Sequence, residues 1–283
     1  MHRQGCRRAH SGWVLVCVTL TRVVRESRPS LTARWVAAQR ARLHESRPFL
    51  PDGEPEAERS LYLQLGRAFS LPGLRPTGMG LRTRFIDEEV LRAISDGIDQ
   101  IVLVGAGYDA RALRFRQPGV RWFEVDHPAT QPDKRQRMQR VGDDLGHVTF
   151  VPVNLLVDDI RAHLDAAGLA VARPSLFICE GLFTYLPNEA VSALCRQLFE
   201  LSAQRSTLVA SILVVPPRRG RLAPQSAADA LLALLGERRL GIFHPGTAEQ
   251  LLRQAGWGLQ RRAATRPARF GGSQLAVIAA QPA

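Results

Sequence analysis

A chain of 283 residues with 45% hydrophobic and 23% charged residues can bury one substantial core, which excludes disordered, collagen-like and membrane-embedded classes. The net charge of +12 does not make a nucleic-acid surface: of 38 basic residues only Lys134 is lysine, and the arginines are scattered through an Ala-, Leu- and Gly-rich chain, as the codon bias of GC-rich DNA would leave them. Cys6, Cys17, Cys179 and Cys195 form no C-x-x-C pair and no metal-like cluster, so they read as reduced thiols of a cytoplasmic protein with no metal site.

In chain order, residues 1–29 carry Arg3, Arg7 and Arg8 ahead of the apolar run Trp13–Leu20. That run is too short to cross a membrane, and Thr21, Arg22 and Val23 follow it instead of a small-residue cleavage site. The segment is expected to be a disordered extension, and no other stretch approaches a membrane span. Ser30–Arg47 reads as a helix, with Leu31, Trp35, Ala38 and Leu43 at helical spacing and Ser30 as its N-cap. Residues 48–58 read as a loop and 57–69 as a second helix. Ser70–Gly80, punctuated by Pro72, Gly73, Pro76, Gly78 and Gly80, reads as a loop or lid, and Thr83–Ile94 as a helix. Residues 30–95 are thus expected to form a helical cap.

From residue 96 onward strands and helices alternate. Strands are expected near 100–105, 121–126, 148–155, 175–181 and 207–214, and helices near 109–114, 128–140, 157–167 and 188–203. Such alternation means right-handed crossovers and a parallel sheet. Runs such as SLFIC and LVASILVV fit strands covered on both faces. Ser226–Leu235 and Thr247–Ala255 read as helices, which makes 215–256 a helical insertion. GWGLQRRAA and SQLAVIAAQ, with no helix between them, read as an antiparallel pair. The predicted class is α/β.

The chemistry centres on QIVLVGAGYDARALRFRQPGVRWFEVD, residues 100–126. A strand ends in the turn of Gly105 and Gly107, where backbone can approach a ligand with no Cβ in the way, and the next strand ends on Asp126, which can take both hydroxyls of a ribose. An adenosine-containing cofactor is expected. GAGYDA also satisfies the dinucleotide pattern G-x-G-x-x-A, so this block alone leaves an NAD(P)-dependent oxidoreductase open.

VLVGAGYDARALRF, WFEVDHPATQPDKRQRM and LFICEGLFTYLPNEAV, in that order, resemble the leucine carboxyl methyltransferase-like family, nearest to its bacterial S-adenosylmethionine-dependent branch. RTRFIDEEV at 82–90 and SLTARWVAAQRA at 30–41 resemble that branch too, and the resemblance runs from about residue 30 to residue 215. It implies a class I methyltransferase: a Rossmann-like, seven-stranded, mostly parallel sheet with an antiparallel C-terminal strand, using S-adenosylmethionine. By position it implies that Gly105 and Gly107 pack on the methionine part of the cofactor, Asp126 holds the ribose, and Arg82 (or Arg84) pairs with the cofactor carboxylate. It places Glu180 near the cofactor's ammonium.

One departure stands out. Where the family has Asp-Leu after the third strand, near the adenine amino group, this chain has Asn154–Leu155. An amide oxygen still accepts a hydrogen bond, so the change either preserves binding or marks a site that has lost turnover. His127, Tyr185 and His244 lie near predicted strand ends or loops, and none is singled out as a base. The expected activity is O-methylation of a small-molecule carboxylate or hydroxyl. An oxidoreductase and an inactive cofactor-binding module are the alternatives.

Overall fold

A computed structural model of the chain describes residues 79–140, 144–215, 240–241, 243–264 and 274–282, together with positions 33, 34, 36, 37, 40 and 61. The expectations for 1–29, 48–58, most of 30–78 and 226–235 lie outside the described residues. The positions described between 33 and 40 are helical, within the Ser30–Arg47 prediction.

Seven strands form one sheet in the order β3-β2-β1-β4-β5-β7-β6. They are β1 Gln100–Val104, β2 Arg121–Asp126, β3 Val148–Pro152, β4 Ser175–Cys179, β5 Thr207–Val214, β6 Trp257–Ala264 and β7 Gln274–Pro282. The first five pair in parallel, while β7 runs antiparallel to both β5 and β6. This is the class I methyltransferase arrangement, in which the last strand is inserted as a reversed hairpin arm between its two neighbours. The described helices are α1 Met79–Ser95, α2 Arg111–Arg114, α3 Gln131–Arg140, α4 Ile160–Ala166, α5 Asn188–Glu200 and α6 Thr247–Gln254, with a 3-10 turn at Phe183–Tyr185.

Period-two alternation splits the apolar strand residues between two faces. Ile101 and Leu103 of β1 join Trp122, Leu176 and Ile178 in a layer against Phe85, Ile86 and Val90 of α1. Val102 and Val104 face the other way, into a layer with Ile160 of α4, Val191 and Leu194 of α5 and Leu252 of α6. Because both faces of β1 and β4 are covered, all five residues of each are buried, and no polar alternation shows in their sequences.

Several boundaries differ from expectation, the end of β4 at Cys179 and the start of α4 at Ile160 among them, and two have a cause in the packing. α1 begins at Met79, inside the predicted loop, because buried Met79 extends the apolar stripe by one more turn. β3 ends at Pro152 rather than near residue 155, and after the Val153 amide donates to the Asp126 carbonyl at 2.9 Å the chain turns at Asn154. No helix among the described residues is long and apolar enough to cross a membrane.

Candidate functional site

The strand order reverses between β1 and β4, and in sheets of this kind the ligand crevice opens beyond the carboxyl ends of the strands at that reversal. Gly105 follows β1 directly, Asp126 closes β2, Asn154 and Leu155 follow β3, and Glu180 follows β4. Arg82, on α1, reaches the same edge through Glu180.

The glycine turn is built on β2. The amides of Gly105 and Ala106 donate to the Val125 carbonyl at 2.8 and 3.0 Å, a crossing that needs the positive φ of +68° at Gly105 and +48° at Gly107. The turn then brings the Gly107 amide onto Oδ2 of Asp126, while Oδ1 accepts from the His127 amide at 2.6 Å. Burial pushes the Asp126 carboxyl above its ordinary value, against the pull of those two amides. A Cβ on Gly107 would lie 3.1 Å from the Ala33 methyl and 4.0 Å from Asp126 Oδ2, so the N-terminal helix comes directly over this corner.

Behind the turn lies a buried ion network. Arg111, 1% exposed, donates Nε to Asp87 Oδ1 at 2.7 Å and pairs through Nη1 with both Asp109 and Glu180 Oε2. Arg40 also pairs with Asp109, at 3.3 Å, and with Glu180 Oε2, while Arg114 pairs with Asp87. Arg82 Nε touches Glu180 Oε1 at 2.6 Å without hydrogen-bond alignment. For Glu180, burial favours the neutral acid, but Arg111, Arg40 and Arg82 outweigh it and hold the carboxyl well below its usual range. The same balance lowers Asp109. For Arg111, burial is overcome by Asp109, Glu180 and Asp87, and the guanidinium is held more firmly charged than usual. Burial wins at Arg82, whose value falls below the ordinary one.

The sequence reading missed Asp87, Asp109, Arg111 and Arg40 as members of this site. The available signal was Asp-Ala-Arg directly after the glycine turn, two charges inside an otherwise apolar stretch. Asn154 is used locally: its Oδ1 accepts from the Leu156 amide at 3.2 Å, and its amide donates to Asp158 Oδ2 at 2.7 Å. Leu155 lines a shallow cavity of about 210 Å³ between this loop and α5. His127 Nδ1 accepts from the Ala129 amide at 3.2 Å, beside Asp126. His244 instead braces the start of α6, with Nδ1 2.8 Å from the Val215 carbonyl just after β5. Among the described residues no His, Cys, Asp and Glu group could hold a metal ion.

Residues 28–199 match the family model described as leucine carboxyl methyltransferase. The chain belongs to that family. Two bacterial relatives whose names provisionally assign S-adenosyl-L-methionine-dependent methyltransferase activity are those of Mycolicibacterium gilvum, 41% identical over 133 residues, and Frankia alni, 38% identical over 167 residues. The first alignment covers 46% of this chain and 43% of the relative, the second 57% and 58%, so the chain spans about half the length of these relatives. A solved magnesium protoporphyrin IX methyltransferase from Synechocystis PCC 6803, with bound SAH, superposes with a TM-score of 0.48 at 18% identity, over 81% of this chain and 93% of that one. The family match spans both the glycine turn and Glu180, while the reversed β7 lies beyond it in sequence.

Proposed function

We propose that the chain is an S-adenosylmethionine-dependent O-methyltransferase whose acceptor is a small molecule bearing a carboxylate or hydroxyl. The observation that carries this reading is Asp126, placed at the end of β2 against the Gly105–Gly107 turn, in a sheet whose last strand β7 runs reversed between β5 and β6. The carboxylate there is largely buried, so its hydrogen bonds are not diluted by water, and it keeps the partial exposure through which a ribose can reach it.

The residues present fit the cofactor. Gly107, at a φ of +48°, leaves no room for a Cβ, which would press on Ala33 at 3.1 Å, and so keeps the turn tight against Asp126. Arg82 and Glu180 offer opposite charges side by side, matching the carboxylate and ammonium of an amino acid. Asn154 retains an acceptor oxygen for an amino group after β3, although one of its lone-pair directions already serves Leu156. When bound, S-adenosylmethionine supplies an already activated methyl group. The protein then has to orient the acceptor oxygen and exclude water. A carboxylate acceptor needs no base. Neighbouring family members and the reversed β7 favour this reading over a nicotinamide-dependent oxidoreductase, which the glycine pattern alone would allow.

Residues 30–95 are proposed as the cap of this domain, which runs from 96 to 283, with the acceptor between them. In support, Arg34 bonds Tyr108 Oη at 3.3 Å and Asp133 at 3.1 Å, and Arg40 reaches Asp109 and Glu180. The reading also places the enzyme in the cytoplasm. Incubation with methyl-labelled S-adenosylmethionine and a panel of carboxylates, alcohols, amines and thiols tests it. Base-labile label identifies a carboxylate acceptor and base-stable label a hydroxyl. Label confined to amines or thiols would refute O-methylation.

A further inference from the structure

We infer that Arg111 is a positioning residue: it anchors Glu180 by one carboxylate oxygen, so that the other oxygen and Arg82 opposite it receive the ammonium and carboxylate of the cofactor's amino-acid end. The inference rests on the cofactor reading above and goes further, because it assigns a role to a residue that does not itself touch the ligand.

The two oxygens of Glu180 are not equivalent. Oε2 is held by Arg111 Nη1 and by Arg40. Oε1 meets Arg82 Nε at 2.6 Å, yet both atoms are buried and neither has an aligned hydrogen-bond partner among the described residues. A buried acceptor and a buried donor that face each other without a directed bond form an expensive arrangement, and such groups in native proteins call for an explanation. An amino-acid zwitterion supplies what each lacks: an ammonium donor for Oε1 and a carboxylate acceptor for the Arg82 guanidinium. The Arg82–Glu180 pair then opens as the ligand's own charges take its place.

That exchange requires Glu180 to stay put when Arg82 lets go. Arg111 is built for this. Its Nε is fixed on Asp87 of α1 at 2.7 Å, its backbone amide donates to Asp109 Oδ1 at 2.9 Å, and its Nη1 is shared between Asp109 Oδ2 and Glu180 Oε2. The planar fork serves Asp87 and Glu180 from two nitrogens held at a fixed separation, a geometry that the single nitrogen of a lysine on a flexible stem does not reproduce.

The test is calorimetric, comparing S-adenosylhomocysteine with 5′-methylthioadenosine, the same nucleoside without the amino-acid end, on the full chain and on Arg111→Lys. The wild type is expected to prefer S-adenosylhomocysteine by about tenfold or more, and Arg111→Lys to lose about tenfold of that preference while its affinity for methylthioadenosine changes less than about twofold. An Arg111 that is merely structural would weaken both ligands alike, and that result overturns the inference. If circular dichroism shows Arg111→Lys unfolded, Asp109→Asn takes its place, with the same selective loss expected and an equal loss, or none, counting against it. A wild type that binds both ligands equally well shows that the amino-acid end lies elsewhere and refutes the inference alone. A folded wild type that binds neither refutes the cofactor reading, and the inference falls with it.

Discussion

The Gly107 amide donates to the Asp126 carboxylate, and in doing so ties the ends of β1 and β2 into one corner. The bond orients one oxygen of a carboxylate whose other oxygen is fixed by the His127 amide. Asp126 is therefore preorganised for a ligand at the carboxyl ends of these two strands. Asp126→Ala should lower S-adenosylhomocysteine affinity by roughly 10- to 100-fold, the loss of about 1.5–3 kcal/mol expected for hydrogen bonds to a charged group. Calorimetry reads this directly, and unchanged affinity would place the ribose elsewhere.

Gly105 is the more demanding glycine for stability. Its φ is +68°, and a Cβ there would sit 2.9 Å from Cδ1 of Leu182, the residue that leads into the 3-10 turn after Glu180. Gly105→Ala should cost about 1–2 kcal/mol from the backbone conformation alone, with any steric clash added, and should lower the thermal midpoint. A midpoint equal to wild type would show that the turn relaxes freely.

The chain's only lysine, Lys134, is buried and pairs with Glu124 at 2.6 Å. Burial already pushes the Glu124 carboxyl up, against the pull of Lys134. Lys134→Met strands that carboxylate and should destabilise the fold by about 3–5 kcal/mol at neutral pH, with Lys134→Met/Glu124→Leu considerably milder. The sign with pH follows from the raised folded-state value. The deficit of the single variant shrinks as pH falls and Glu124 can take a proton, and it grows as pH rises. Denaturant melts at acidic and neutral pH check both statements.

Tyr108 titrates late. Burial and its hydrogen bond to Asp133 push the phenol up to about 12. The stabilisation this implies is fully present below the ordinary tyrosine value of about 10 and is lost as pH rises through the folded value. The ultraviolet tyrosinate titration of wild type minus Tyr108→Phe should contain one component near 12. A component at the ordinary value would contradict the Tyr108–Asp133 contact.

Asn154→Asp should preserve or tighten cofactor binding. A carboxylate oxygen can accept from the Leu156 amide as the amide oxygen does, and it strengthens any bond to an adenine amino group. Asp158, bonded to the Asn154 amide, is the like charge that limits the gain. A large loss of affinity in calorimetry would remove this loop from the adenine.

The parallel part of the sheet was legible because strands covered on both faces are written as unbroken apolar runs, as in QIVLV and SLFIC, each closed by a glycine within two residues of its end. The pairing of the last two strands was legible too, but not the insertion of β7 between β5 and β6, since strand order depends on which edge is left open and not on local pattern. The corner of Gly105, Gly107 and Asp126 could be read because glycines and a strand-final acid are local signals. The Arg111 network could not. Its partners Asp87, Asp109 and Glu180 lie up to 69 residues from it in sequence, and only the packing of α1 against the sheet brings them together. Buried charge carries no periodic signature, and the abundance of arginine elsewhere hid the few that matter.

The most direct test of the central claim is calorimetric titration of the purified protein with S-adenosylmethionine and S-adenosylhomocysteine, alongside NAD and NADP. The account predicts micromolar binding of both sulfur nucleosides and none of the nicotinamide dinucleotides. Binding of NAD or NADP alone, or of none of the four by a folded protein, would contradict it.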